Sequence, residues 1–414
     1  MTIAAQASEW EPRYAGRAQR MVASEIRELL KVLERPNVVS FAGGIPDPAL
    51  FPVNEIGAVY ADVLSHPTAA GAGLQYSLSE GYAPLRQWIA HDMGRRGVPC
   101  TPENIVITSG SQQALEFLAR LLISPGDTAL VGMPTYLGAL QAFAAYEPRY
   151  DELRPEQGNR TADSYRTAAA ENGGSVKLAY VVSDFANPTG ETLSVAARKG
   201  LLDLAGHLDM PIVEDAAYSA LNFAGEPTPS ILALDVARCG GIEAARTIYC
   251  GTFSKTLSPG LRVGWIVGPR ALIRRLVLVK QASDLNSATL NQMVMHRLAE
   301  TVYDRQVAMA RAHYRRRRDR MLTALARHMP SGCHWSEPKG GLFVWLRLPK
   351  GQDSGALLGR AVDEAGVAFV PGAAFYFDRS GHDHLRLSYS LATEAQIDSG
   401  IARLAALIAA VAAS

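Results

Sequence analysis

The chain is poor in cysteine, with only Cys100, Cys239, Cys250 and Cys333 among its 414 residues. They lie far apart, and no pair has the spacing of a metal site or a redox dithiol, so reduced thiols in a cytoplasmic protein are expected. Charge imbalance is missing as well. The 41 basic and 40 acidic residues leave a formal net charge of +1, which gives no footprint for nucleic acid or an anionic membrane. The N-terminal MTIAAQASEWEPRYAGRAQR carries charges throughout and lacks the apolar core of a signal peptide. The C-terminal IDSGIARLAALIAAVAAS holds an apolar run short of the roughly 20 residues that cross a bilayer, and reads as a helix packed on a small domain. Internal repeats and low-complexity linkers are also lacking. His382 and His384 have a chelating spacing, but without a third ligand nearby no metal site is expected. What remains is a globular composition, 48% hydrophobic and 20% charged, at a length that suits one large domain and a smaller one.

From Asn104 onward, short apolar runs alternate with longer periodic ones. NIVITSG, TALVGMP, KLAYVVSD, MPIVEDAAY, RTIYCGTFS and RVGWIVGP read as strands. SQQALEFLARLLI reads as a helix with Ala114, Leu115, Leu118, Leu121 and Leu122 on one face, and Ser194 to His207 as another. Strands alternating with helices predict an α/β fold with a mostly parallel sheet covered on both sides. The link from Phe253 to Arg262 is too short for a helical crossover, so that pair is predicted antiparallel. Residues 270–327 read as a long helical region, with the run Arg315 to Arg318 on a solvated face. GGLFVWLRLP and HLRLSYS read as strands and Thr393 onward as a helix, which predicts a smaller α+β domain. The amphipathic MVASEIRELLKVLE is expected to pack against it.

The chemistry-bearing residues fall at strand ends, where open α/β sheets bind ligands. In GTFSKTLSPGLRVGW an apolar run ends at Ser254 and Lys255, with Arg262 close behind. A strongly hydrated amine beside hydroxyls and a second cation suits a Schiff base with a phosphate-bearing aldehyde cofactor. Ser111, Gln112 and Gln113 open a helix after a strand, a phosphate site or a plain N-terminal cap. Tyr136 could stack on a flat ring. Asn187, in FANPTG, is an amide donor or part of a turn. Asp215 ends a strand and needs a cation if buried, which a protonated pyridine supplies; its competing role is a helix cap. Tyr218 follows three residues on. Arg386, between Leu385 and Leu387, suggests a clamp on a carboxylate, whereas Arg347 looks like a strand-end surface residue.

The ordered set GSQQAL, FANPTG, VEDAAY, GTFSKTLSPGLRVGW and HLRLSYS resembles the fold type I pyridoxal-phosphate-dependent class I aminotransferases. Within them it is most similar to the kynurenine/2-aminoadipate aminotransferase-like branch, as are SFAGGIPDPALFP and YSLSEGYAPLRQWIA. The resemblance implies a large cofactor-binding domain over residues 50–295 with a mostly parallel seven-stranded sheet. A small α+β domain would form from 15–49 and 296–414, with 1–14 as an extension. It implies pyridoxal 5′-phosphate in Schiff-base linkage to Lys255, with Asp215 on the pyridine nitrogen, Asn187 and Tyr218 on the phenolic oxygen, and Tyr136 stacked on the ring. Ser111, Gln112, Thr252, Ser254 and Arg262 would hold the phosphate, joined by Tyr76 from the neighbouring subunit of a homodimer. Arg386 and Asn187 would bind the substrate α-carboxylate, with Gly43, Gly44 and Tyr76 beside the substrate. The implied reaction is ping-pong transfer of an amino group between an L-amino acid and a 2-oxo acid, with 2-oxoglutarate as the expected acceptor. A β-lyase, decarboxylase or oxidase on the same fold, and a regulator-type cofactor-binding domain, are the competing readings. Ala186 departs from the family, which has a bulkier polar residue before Asn-Pro-Thr-Gly, so side-chain preference does not transfer from relatives.

Overall fold

The computed structural model describes residues 10–20 and 37–412. MVASEIRELLKVLE, at 21–34, lies outside the described residues. In chain order the strands are β1 (Val39–Ser40), β2 (Ile105–Thr108), β3 (Thr128–Gly132), β4 (Arg149–Leu153), β5 (Val176–Val181), β6 (Ile212–Asp215), β7 (Thr247–Thr252) and β8 (Gly264–Val267), then β9 (His334–Trp335), β10 (Phe343–Arg347), β11 (Val367–Ala368), β12 (Val370–Pro371) and β13 (His384–Ser388).

Seven of them form one sheet in the order β2-β8-β7-β6-β5-β3-β4. Residues of β2, β6 and β8 are buried throughout, as expected for strands with helices on both faces. Only β8 runs antiparallel to its neighbours, with Thr252 opposite Gly264 and Tyr249 opposite Val267. The short link between β7 and β8 therefore turns back as the sequence predicts, and it carries Lys255 and Arg262. Six of the seven strands coincide with apolar runs predicted as strands. The seventh, β4, RYDEL, has no such signal, because an edge strand is half-solvated and carries no continuous apolar run.

The helix Ser111–Leu122 buries Ala114, Leu115 and Leu118 as predicted, together with Phe117 and Ala119; Leu121 and Leu122 are only half-buried. The single helical region expected over 270–327 is three helices: Arg270–Gln281, Thr289–Thr301 and Tyr303–His328. Leu285, at φ 64° in the left-handed region, lies in the first break.

A second sheet, ordered β12-β13-β10-β9, sits beside a core that includes Phe41, Phe343, Leu346, Phe369, Leu387 and Tyr389. β1 pairs in parallel with β11 and ties the chain near Phe41 to that core. The helix Glu394–Ala412 corrects one expectation. By length and composition it is apolar enough to cross a membrane, because alanines on its outer face add to the hydropathy. Its Ile397, Ile401, Leu404, Leu407 and Ile408 are instead buried in this core. The arginine run also divides. Arg315 and Arg316 are exposed, but Arg317 is buried in an ion pair with Asp47 at 2.7 Å and Arg318 packs over the Phe223 ring.

Candidate active site

The C-terminal ends of β6 and β7, the start of the helix Ser111–Leu122 and strand β13 converge on one basin. Lys255 enters from the β7–β8 link. Its Nζ donates to the Gly44 carbonyl at 3.1 Å and lies 5.7 Å from the centre of the Tyr218 ring. Burial lowers its pKa to about 8, helped by the positive fields of Arg386 and Arg262 and opposed by Asp215. A lysine that is neutral at mildly alkaline pH can act as a base or nucleophile.

Asp215 is 3% exposed at the end of β6. Its Oδ2 accepts from the Tyr180 hydroxyl at 2.9 Å and its Oδ1 from the Ala217 amide at 3.3 Å. Burial raises its pKa to about 6, against the pull of those two hydrogen bonds and of Lys255. No helix starts at Asp215, so it caps none; its neighbour Glu214 accepts from the Ile231 and Leu232 amides at 2.9 and 3.0 Å, at the start of the helix Ile231–Cys239.

Arg386 is 1% exposed, and no carboxylate among the described residues is paired with it. Nη1 donates to Asn187 Oδ1 at 2.7 Å and Nη2 to the Ala42 carbonyl at 2.6 Å, while Nε is buried without a partner among the described residues. The guanidinium lies 4.3 and 5.0 Å from the Phe343 and Phe375 ring centres. A buried cation with an unspent donor is an anion site, since leaving it so costs free energy. Burial lowers its pKa to about 10. Asn187 precedes a cis proline and also bonds the Tyr218 hydroxyl. Arg347 is exposed on β10, as its strand-end position suggested.

The third corner is a cup. Gly110, at φ +81°, is the N-cap of the helix Ser111–Leu122, which therefore starts at Ser111 without a side-chain cap. A Cβ on Gly264 would lie 2.7 Å from the Gly110 carbonyl carbon and 2.8 Å from the Ser111 amide nitrogen. A Cβ on Gly110 would lie 2.5 Å from Arg262 Nη2. Glycine at both positions lets the arginine and the helix start approach each other. Arg262 itself adopts φ 55°, and its Nη2 donates to the Ser109 carbonyl at 3.2 Å. Thr252 Oγ1 donates to Ser254 Oγ at 2.8 Å and Gln112 Nε2 to the Gly138 carbonyl at 2.6 Å. Tyr136 packs over Gly138; its hydroxyl is pushed up to about 12 by burial and by Asp215.

Gly44 lies against the Phe343 ring, where a Cβ would approach to 2.6 Å, and Gly43 accepts from Ser390 Oγ at 3.3 Å. Tyr76 stands apart from the basin, 78% exposed on the surface. The structure thus gathers every expected residue except Tyr76.

Two further groups support the basin without a local sequence signal. Tyr180 looked like core of β5. Behind the cup, the fully buried Lys280 donates to both Asp284 oxygens and to Ser287 Oγ, each at 2.9 Å, and Gln113 bridges the Ser109 amide to Asp284 with two 2.8 Å bonds. Both had the pattern of ordinary buried faces, and only tertiary contact reveals their partners.

The basin fits pyridoxal phosphate on its own chemistry. It offers an amine of lowered pKa, a buried carboxylate lacking a paired cation, a cationic cup closed by two glycines, and an arginine with a spare N–H. Comparison with known proteins agrees. The family model of aminotransferase class I and II matches residues 54–404. The aromatic-amino-acid aminotransferase 1 of Thermococcus litoralis is 42% identical, over 97% of this chain and 95% of that one. The 2-aminoadipate transaminase of Thermus thermophilus is 39% identical, over 95% and 96%. A Pyrococcus horikoshii kynurenine aminotransferase, solved with PMP, superposes with a TM-score of 0.90 at 39% identity, covering 98% of this chain and 99% of that one.

Proposed function

The chain belongs to the aminotransferase class I and II family and is a pyridoxal-phosphate-dependent aminotransferase, and we propose that it moves the amino group of an L-amino acid to 2-oxoglutarate or a similar 2-oxo acid. The observation that carries this reading is the pairing of a lysine of lowered pKa with a buried, anion-free arginine in one basin.

When bound, the cofactor carries the amino group between the two substrates and serves as an electron sink for the substrate α-carbon. In this reading Asp215 supports the ring nitrogen, Asn187 and Tyr218 support the phenolic oxygen, and Tyr136 covers the ring. Ser111, Gln112, Thr252, Ser254 and Arg262 hold the phosphate. Arg386 takes the substrate α-carboxylate through its remaining N–H donors, with Asn187 fixing the guanidinium. That fixes the α-carbon within reach of Lys255, whose neutral Nζ accepts the α-proton. Gly43 and Gly44 leave room beside the substrate. Tyr76, exposed on one subunit, would complete the phosphate site of a second copy in a homodimer. Residues 50–295 are read as the cofactor-binding unit, and 15–49 with 296–414 as the smaller one.

A single-turnover experiment tests the reading. An amino acid donor should convert the visible absorbance of the bound cofactor to that of its amino form and release one 2-oxo acid per site. Release of ammonia or peroxide without that conversion would overturn it in favour of lyase or oxidase chemistry.

A further inference from the structure

Most buried polar groups outside the basin have an evident structural task. Glu214 caps a helix, Arg198 joins Asp184 and the Leu193, Pro229 and Ser183 carbonyls, and Lys280 neutralises Asp284. Tyr180 is different, because its partner is a group of the basin itself. It lies on β5 with no exposed surface, opposite Val213 of β6 and thus beside the strand that ends in Asp215. Its ring meets Phe143 edge to face, with centroids 5.7 Å apart and planes at 90°. A phenolic hydroxyl in such a place is costly unless it donates. It donates to Asp215 Oδ2 at 2.9 Å.

The oxygens of Asp215 then divide. Oδ2 is held by a 2.9 Å bond from a fully buried donor. Among the described residues Oδ1 has only the Ala217 amide at 3.3 Å, which leaves it capacity for a second, charged donor.

We propose that Tyr180 is a positioning residue for the cofactor: by holding Oδ2 it fixes the rotation of the Asp215 carboxylate and reserves Oδ1 for the protonated ring nitrogen. The proposal rests on the reading of Asp215 as the partner of that nitrogen. Burial and the neighbouring Asp215 carboxylate hold the Tyr180 hydroxyl well above the usual phenol range, so it is always a donor. Its hydrogen bond is also the largest influence opposing protonation of Asp215. An Asp215 that loses this bond would share its site less well with a cationic ring and weaken the electron sink.

The test uses Tyr180→Phe, which keeps every ring contact and removes one hydroxyl. Apoprotein is titrated with pyridoxal phosphate and with its 1-deaza analogue, in which carbon replaces the ring nitrogen. Wild type should bind pyridoxal phosphate more tightly than the analogue. The variant should lose about tenfold or more in affinity for pyridoxal phosphate, the size expected for a hydrogen bond to a charged group. Its affinity for the analogue and its apoprotein melting temperature should not change. Equal losses on both ligands would reduce Tyr180 to a packing residue, and an unchanged preference would also overturn the proposal. If wild type itself shows no preference, the Asp215 reading fails first, and that outcome is distinct from the other two.

Discussion

Arg386→Lys offers a direct test of how the substrate is held. The guanidinium already spends one N–H on Asn187 and one on Ala42, and keeps Nε free. A carboxylate would take two charge-assisted bonds from the remaining donors, each worth about 1.5–3 kcal/mol. Lysine can reach with a single point charge and keep one of them, so the loss is about 1.5–3 kcal/mol, or roughly 10- to 150-fold in kcat/KM. Two readouts separate this from general damage. The visible absorbance of the bound cofactor should persist, since Arg386 does not contact the cup. Half-reaction rates with an amine that lacks the carboxylate should barely change, because that amine never used the lost bond. A variant that keeps kcat/KM for amino acids within about threefold of wild type, or that slows the amine as much as the amino acid, would refute Arg386 as the carboxylate site.

Other perturbations follow from the same geometry. Lys255→Ala should abolish both the visible absorbance of the reconstituted protein and turnover; near-wild-type turnover would remove Lys255 from the reaction. Gly264→Ala should push the cup apart and weaken pyridoxal phosphate binding by about 5- to 150-fold, from an overpacking cost of about 1–3 kcal/mol. Gly94→Ala, where a Cβ would meet nothing within 4 Å, is the neutral control. Asp215 has a folded-state pKa of about 6 against an ordinary 3.8, so the folded apoprotein binds more protons between those values and loses stability as pH rises through them. Asp215→Asn should therefore stabilise the apoprotein at neutral pH, by on the order of 3 kcal/mol, and the gain should fade as pH falls toward 4; urea midpoints with the same pH slope for both proteins would contradict this. Lys280→Met removes the buried cation beside the partly exposed Asp284 and should cost about 1–3 kcal/mol in urea unfolding.

Much of the site was legible because its chemistry places unusual residues at strand ends. A lysine after an apolar run, an arginine between two leucines and an aspartate ending Pro-Ile-Val-Glu-Asp all stand out against strand patterns. Residues that act through others did not stand out. Tyr180 fits a core strand as well as phenylalanine would, and nothing local shows that its hydroxyl meets Asp215. Lys280 sits in an apolar helix run, and nothing local shows that its amine is buried against Gln113, Asp284 and Ser287. The edge strand β4 and the breaks within 270–327 were hidden for a similar reason: pairing and packing, not local pattern, set where they begin and end. Arg317 and Arg318 shared a sequence run with exposed arginines, and only the neighbouring Asp47 and Phe223 separate them.

The reversal at β8 has a consequence for precision. The link that carries Lys255 and Arg262 is pinned at both ends by adjacent central strands, with Thr252 opposite Gly264. In the proposed site, the stretch between the amine and the phosphate anchor would start and end at positions set by strand register. A chain built this way behaves like a caliper whose two jaws are set by the pairing of Thr252 with Gly264.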